Sequence, residues 1–284
     1  MFSLALVQMH VEHGKKLRNL DHACEMISEA AKAGAQVILL PETMPSGWTH
    51  SDTARLADRI PGGKTCRVLR KVARWHKVYI CCGLAEKDGG QVYNSAVLVD
   101  PKGNLLLRYR KLNEMDIGHG YYAQGDRLSV AHTPLGTFGV HICADAGAKD
   151  WALSRALGYM GADIILSPSC WAVPADHDNE KEPYGATWRN NYIPVAREFK
   201  IWIAGASNVG WLTSGPWNGY KCIGCSLVID PDGKEIIQGP YGPEAETILY
   251  MEVAPRPRPT RGNAWYTYWD SQQASGQQAK VVRP

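Results

Sequence analysis

The amino-acid sequence predicts an α/β protein with a mixed β-sheet and helices covering one face of it. Three observations predict it. Short apolar runs alternate with segments of helical periodicity. Two strand–turn–strand units close on Asp-Pro-x-Gly turns. The two halves also echo each other, "YNSAVLVDPKGNLL" in one and "CIGCSLVIDPDGKEI" in the other. That echo suggests an internal pseudo-repeat of two sheets packed together.

In chain order, "SLALVQMHV" reads as a strand. "KLRNLDHACEMISEAAKAGA" follows, with Leu17, Leu20, Ala23, Met26, Ile27 and Ala30 at helical spacing and Gly34 as a C-terminal cap. "QVILLPE" is a buried strand, "KTCRVLRKVARWHK" an amphipathic helix, and "VYICCGLAE" a second strand. "YNSAVLVDPKGNLLLRYRKL" is a hairpin turned at Asp100–Gly103. Past "TPLGTFGVHIC", residues 150–160 read as a helix and "ADIILSPS" as a strand. "GATWRNNYIPVAREFK" is a helix, "IWIAGASNVG" a strand, and "CSLVIDPDGKEIIQ" the second hairpin. Residues 1–253 thus form the expected domain. Residues 254–284, rich in Pro and Gln and poor in aliphatics, are expected to pack on a neighbouring subunit or to fray.

Composition narrows the function. The 284 residues carry a formal charge of +3, with 45% apolar and 21% charged residues. No Lys/Arg cluster has the density of a nucleic-acid footprint. The longest apolar runs fall far short of the roughly 20 residues a membrane helix needs. "MFSLALVQMHVE" lacks a basic segment and reads as a strand, so a cytoplasmic location is expected. The eight cysteines then read as free thiols. The adjacent Cys81 and Cys82 should point to opposite faces of a strand. Cys222 and Cys225 have a CxxC spacing without a second ligand pair, so they read as small core residues.

Three apolar strands end in a reactive side chain: "QVILLPE" in Glu42, "LLLRYRKL" in Lys111 and "FGVHIC" in Cys143. Strand ends are where α/β sheets form ligand clefts. The three side chains make a coherent set. A thiol is a few per cent thiolate at neutral pH, and a base beside it raises its nucleophilicity. A carboxylate can take the thiol proton and return it to a leaving amine. An ammonium and the backbone N–H after the nucleophile can hold an oxyanion. These are the parts for acyl transfer through a thioester, and none of them calls for a metal or cofactor.

"LLPETMPSGW", "RYRKLN" and "GTFGVHICADAGAKDWALSRALGYMGADIILSPSCW" resemble, in order and spacing, the three signature regions of the nitrilase superfamily of carbon–nitrogen hydrolases. The resemblance runs from the first strand to about residue 253. It implies a four-layer αββα sandwich of two mixed sheets and a homodimer or higher homo-oligomer. It also implies a catalytic Glu42–Lys111–Cys143 triad, with Glu42 as general base and acid, Lys111 as oxyanion stabiliser and Cys143 as nucleophile. The N–H of Ala144 would complete the oxyanion site. Two departures stand out. Ala144 replaces the large aromatic that usually follows the cysteine, while Asp145 keeps the acid. The substrate-orienting second glutamate falls, in a gapless match to nitrilases, on Gly118; Glu114, Asp116 and His119 are its candidate replacements. Trp48 and Trp171, beside the motifs, are expected to contact substrate, and the charged stretch 174–183 reads as a pocket rim or a solvated loop.

The expected reaction is hydrolysis of a small amide or carbamoyl-amide, with small molecules and not nucleic acid or membrane as partners. A nitrilase is the alternative within the fold. An acyl- or amidotransferase and a non-catalytic family member are the rivals outside that chemistry.

Overall fold

A computed structural model of the protein describes residues 1–256. The first half of the chain runs β1 (Phe2–Gln8), α1 (Lys16–Lys32), β2 (Val37–Leu39), α2 (Thr53–Leu56), α3 (Lys64–His76), β3 (Tyr79–Asp88), β4 (Gln91–Val99) and β5 (Leu105–Arg110). The second half runs β6 (Val130–Thr133), β7 (Gly136–Val140), α4 (Ala152–Tyr159), β8 (Ile164–Ser169), β9 (Ala172–Val173), α5 (Gly185–Phe199) and β10 (Trp202–Ser207). It continues through β11 (Val209–Trp211), β12 (Lys221–Ile223), β13 (Leu227–Ile229), β14 (Glu235–Gln238) and β15 (Thr247–Val253).

Two six-stranded mixed sheets result, ordered β15-β1-β2-β3-β4-β5 and β14-β13-β10-β8-β7-β6. In the first, β1, β2 and β3 are parallel and the rest antiparallel. In the second, β7, β8 and β10 are parallel and the rest antiparallel. The two sheets therefore carry the same succession of pairings. Each ends in an Asp-Pro-x-Gly hairpin whose fourth residue, Gly103 or Gly233, has φ of 78° or 75°, a conformation glycine adopts without a Cβ penalty. A small third sheet, β11-β12-β9, sits at the margin.

Alternation along each strand sorts side chains between two layers. Leu4 and Leu6 of β1 turn toward the other sheet and share a core with Phe138 and Val140 of β7; the rings of Phe2 and Phe138 lie 5.7 Å apart. Ala5 and Val7 turn the other way, onto Leu20, Ile27 and Ala30 of α1 and Leu69 of α3. Cys81 and Cys82 divide in the same manner, one in each core. On the outer face of the second sheet, Trp188, Tyr192 and Val195 of α5 close the fourth layer. Fully burying side chains of this size is worth roughly 1.5–3 kcal/mol each.

Two local expectations need correction. The strand "FGVHIC" ends at Val140, and Cys143 instead opens a 3-10 turn over Cys143–Gly147. The helix read over 150–160 begins only at Ala152, because Asp150 and Trp151 both have positive φ. Of the 254–284 extension, only residues 254–256 are described. The Ala254 carbonyl accepts the Trp202 indole N–H at 2.9 Å, and Arg256 pairs with Asp232 at 2.8 Å.

Candidate active site

Glu42, Lys111 and Cys143 stand just beyond the C-terminal ends of β2, β5 and β7, so three elements of two sheets deliver them. Glu42 is anchored through its backbone: its N–H donates to the Ser169 carbonyl at 3.1 Å, tying the end of β2 to the end of β8. Its segment lies so close to β3 that a Cβ on Gly83 would meet the Glu42 Cα at 2.6 Å. Only glycine fits there. Lys111 continues the ladder from β5, its N–H donating to the Asn94 carbonyl of β4 at 2.8 Å.

The side chains form one buried network. Lys111 Nζ donates to Glu42 Oε1 at 2.8 Å and to Glu114 Oε1 at 2.9 Å. Asn94 Nδ2 bridges the same two carboxylates, reaching Glu42 Oε1 at 2.6 Å and Glu114 Oε2 at 2.8 Å. Glu42 and Lys111 are each 2% exposed. Both bonds to Glu42 fall on Oε1, so Oε2 is the oxygen that neither Lys111 nor Asn94 engages. An ammonium has three donors. Two of those of Lys111 are committed to carboxylates, which leaves one to point elsewhere.

Cys143 has φ of 45°, left-handed backbone that a non-glycine residue adopts only under constraint. The constraint is Asp145. Its carboxylate accepts from the Ile142 N–H at 2.8 Å and the Tyr109 hydroxyl at 2.7 Å, and from the N–H groups of Asn113 at 2.7 Å and Leu112 at 3.3 Å. Asn113 Nδ2 donates in turn to the Ala144 carbonyl at 2.7 Å. One buried carboxylate thus locks the turn that carries the thiol to the loop that carries the lysine. Cooperative networks of this kind fix geometry when every member is satisfied.

Burial dominates the electrostatics. It pushes the Cys143 thiol well above its ordinary range, with the Glu42 charge adding and Lys111 opposing. The resting nucleophile is therefore a neutral thiol. Burial also raises the Glu42 carboxyl, against the pull of Lys111 and with the push of Glu114. Lys111 stays protonated: burial disfavours its charge, but Glu42 and Glu114 raise it well above the usual lysine value. A base of raised affinity for protons beside a protonated thiol and a fixed cation can move a proton on and off sulfur without building an isolated charge.

Of the three candidates to stand in for the residue at Gly118, the structure brings Glu114 alone into this network. Asp116 and His119 flank it on an exposed 3-10 turn and make no contact with Lys111. Trp48 is buried beside the charges, its ring centroid 6.0 Å from Lys111 Nζ, and packs with Tyr122, Cys170 and Cys222. Trp171 is fully buried and stacked on Trp188 at 4.4 Å, which makes it a wall of the core more than an exposed contact. Ala144 is half-buried. It lines a cavity of about 380 Å³ together with Asn113, Glu114, Met115 and Trp217. A larger cleft of about 660 Å³, between α1 and Glu244–Glu246, shares none of these residues. Segment 174–183 is largely exposed, with Lys181 paired to Asp178. Cys222 neighbours Cys170, Sγ to Sγ 3.6 Å, and not Cys225. Asn94 and Asp145 are the members that sequence reasoning passed over as ligands of the network. Their signal was a polar residue inside the apolar strand "YNSAVLVD" and an acid inside the small-residue run "CADAG".

A sandwich of two mixed sheets with a buried Glu–Lys–Glu cluster beside a strained cysteine defines a class of protein, and the comparisons agree: the chain belongs to the carbon–nitrogen hydrolase family, whose profile matches residues 3–261. It is a hydrolase of that family and has no helix, among the described residues, long and apolar enough to cross a membrane. Its relatives carry two kinds of name. It is 34% identical over 261 residues to a nitrilase of Pyrococcus abyssi, covering 88% of this chain and 91% of that one. It is 29% identical over 262 residues to the mouse omega-amidase NIT2, covering 89% and 88%. The fold is shared with a carbon–nitrogen hydrolase from Helicobacter pylori G27, at a TM-score of 0.79 and 19% identity over 99% and 96% of the two chains. It is shared as well with an amidase from Nesterenkonia sp. AN1, at 0.76 and 20% over 95% and 100%; that protein was solved with acrylamide added to its active-site cysteine.

Proposed function

We propose that the protein hydrolyses the carbon–nitrogen bond of a small amide or carbamoyl-amide through a thioester on Cys143. The observation that carries this reading is the buried ammonium of Lys111 held between Glu42 and Glu114, next to a neutral thiol on a strained turn. Glu42 takes the Cys143 proton as sulfur attacks the carbonyl carbon. The oxyanion that forms is met by the remaining Lys111 donor and the Ala144 N–H. Collapse breaks the carbon–nitrogen bond, and Glu42 returns its proton to the departing nitrogen, which leaves as ammonia or an amine. Water then attacks the thioester, Glu42 takes its proton, and the acid leaves as the thiol is restored. Electrostatic stabilisation by such pre-placed donors typically accounts for about 10²–10³ per donor in rate.

A nitrilase is the second reading, favoured by the 34% identity to the archaeal nitrilase and opposed by the Ala-Asp that follows Cys143. In that case the same thiol adds to a nitrile carbon, and ammonia and an acid are the products. Incubating the protein and its Cys143→Ala variant with short amides, N-carbamoyl amines and nitriles, and quantifying ammonia, amine and acid, tests both. Amine release from an N-substituted amide supports the first reading. Turnover confined to nitriles supports the second, and equal activity of parent and variant refutes both.

A further inference from the structure

Position 118 is where the match to nitrilases puts a second glutamate, and here it is glycine. Gly118 is buried and closes the 3-10 turn Asp116–Gly118. It is absent from the glycines with positive φ, so its backbone is one that any residue adopts. Glycine is required there for another reason. A Cβ at 118 would lie 2.7 Å from Glu114 Cγ, 2.9 Å from Cδ and 3.0 Å from Oε1. The Glu114 side chain therefore fills the volume that a side chain from 118 would enter. It does so with its carboxylate bound to Lys111 Nζ, to Asn94 Nδ2 and, at 3.0 Å, to the Met115 N–H.

We propose that the second carboxylate of this site has moved from position 118 to position 114, and that Glu114 and Gly118 form one exchange: the acid enters from one turn earlier because the glycine vacates its space. Glu114 is on this reading a positioning residue that acts through Lys111. It takes one ammonium donor, so that Glu42 is not the sole counter-ion and keeps Oε2 available for the proton it must move. The inference rests on the proposed cysteine-dependent hydrolysis. It adds to that reading which residue performs the task and why the glycine is needed.

The test is a set of four proteins: the parent, Glu114→Ala, Gly118→Glu and the double variant, assayed on whichever short amide, N-carbamoyl amine or nitrile the parent turns over. Glu114→Ala should lose about a hundredfold in kcat with a smaller change in KM, the scale expected when a reacting group is misplaced by about 1 Å. Gly118→Glu should lose at least as much, since two side chains compete for one space. The double variant should recover about tenfold over Glu114→Ala. A folded double variant no better than Glu114→Ala overturns the proposal, as does a Glu114→Ala protein with parental kcat. Should the double variant not fold, a second cycle decides. Gly118→Ala alone should impair turnover, and Glu114→Asp/Gly118→Ala should regain at least fivefold, because the shorter acid leaves room for the new methyl. Additive losses in that cycle overturn the exchange. Alkylation by iodoacetamide, followed by intact mass against pH, supplies a readout independent of substrate: removing Glu114 should shift the profile of Cys143, whereas a merely structural residue leaves it in place. If parent and Cys143→Ala turn over alike, the proposed function fails. If turnover depends on Cys143 but not on Glu114, only the present inference fails.

Discussion

The two sheets repeat one pattern of pairings, yet the corresponding places in them are furnished differently. Beyond β7 and β5 lies the charged cluster: Cys143 and Asp145 meet the loop of Lys111 and Asn113. Beyond β1 and β14, their counterparts in the other sheet, lies a neutral knot around Gln8. Its Nε2 donates to the carbonyls of Pro240 and Ala245 at 2.8 and 2.7 Å, and its Oε1 accepts the Ser226 N–H at 2.9 Å. Gly224 and Gly239 press so close that a Cβ on either would sit within 2.4 Å of the Gln8 side chain. Both places stitch strand ends together with a buried polar side chain. One uses an amide whose hydrogen bonds are complete. The other uses ions that satisfy each other and still leave a carboxylate oxygen and an ammonium donor to act on something else. Topology positions a site, and the residue types decide whether it does chemistry.

That contrast can be broken most severely at Lys111. Lys111→Met leaves Glu42 and Glu114 buried without their shared cation. Stability should fall by about 3–5 kcal/mol and turnover by at least about 10²–10³, read by urea denaturation and kcat. The parallel change Gln8→Leu in the neutral knot should cost only about 1–3 kcal/mol for its orphaned partners, with turnover per folded molecule unchanged. Equal losses of activity at the two places would erase the distinction.

Glu42→Gln sharpens it. The amide keeps the shape, and Lys111 retains Glu114 as counter-ion, so stability should move by no more than about 1 kcal/mol. Turnover should nevertheless fall by about 10²–10⁴, the contribution of a positioned acid–base group. Asp145→Asn is milder. It weakens the carboxylate that binds four donors and loosens the lysine loop, so we expect about 1.5–3 kcal/mol in stability and a tenfold to hundredfold drop in turnover.

The smallest effects are in pH. Burial raises the Glu42 carboxyl, and it must be ionised to take a proton. The acid limb of kcat/KM should therefore lie above the ordinary carboxylate range, and Gln8→Leu should leave that limb where it is. Stability has its own slope. Burial pushes His13 and His141 down from 6.5 to about 4. The unfolded chain then binds more protons than the folded one as pH falls from 6.5 toward 4, and stability declines through that window. His13 joins the Trp48 carbonyl at 3.1 Å to the Thr213 N–H at 2.9 Å. His13→Gln, which cannot ionise, should flatten the slope in denaturation curves at pH 7 and pH 5.

Much of this was legible in the sequence for physical reasons. Strand alternation and the Asp-Pro-x-Gly turns are local signals, so β3, β4, β5, β13 and β14 could be read from them, and the three reactive side chains followed from where their strands stop. The edge strand β15 was not legible, because Thr247–Val253 shows its identity only in its register with β1. The turn at Cys143 was hidden as well. Its positive φ is imposed by Asp145 and by loop N–H groups from more than thirty residues away. Glu114 could not be told from Asp116 and His119 by spacing, since what separates them is direction: one points inward to Lys111, and the other two lie on the exposed side of the same short turn.

The central claim, that the charged end of this fold forms a thioester on Cys143, is tested most directly by intact mass during turnover of a small amide. The parent should show a transient acyl adduct that maps to Cys143, together with stoichiometric ammonia or amine and acid, and Cys143→Ala should show neither adduct nor product. Product formation by Cys143→Ala at the parental rate would contradict the account.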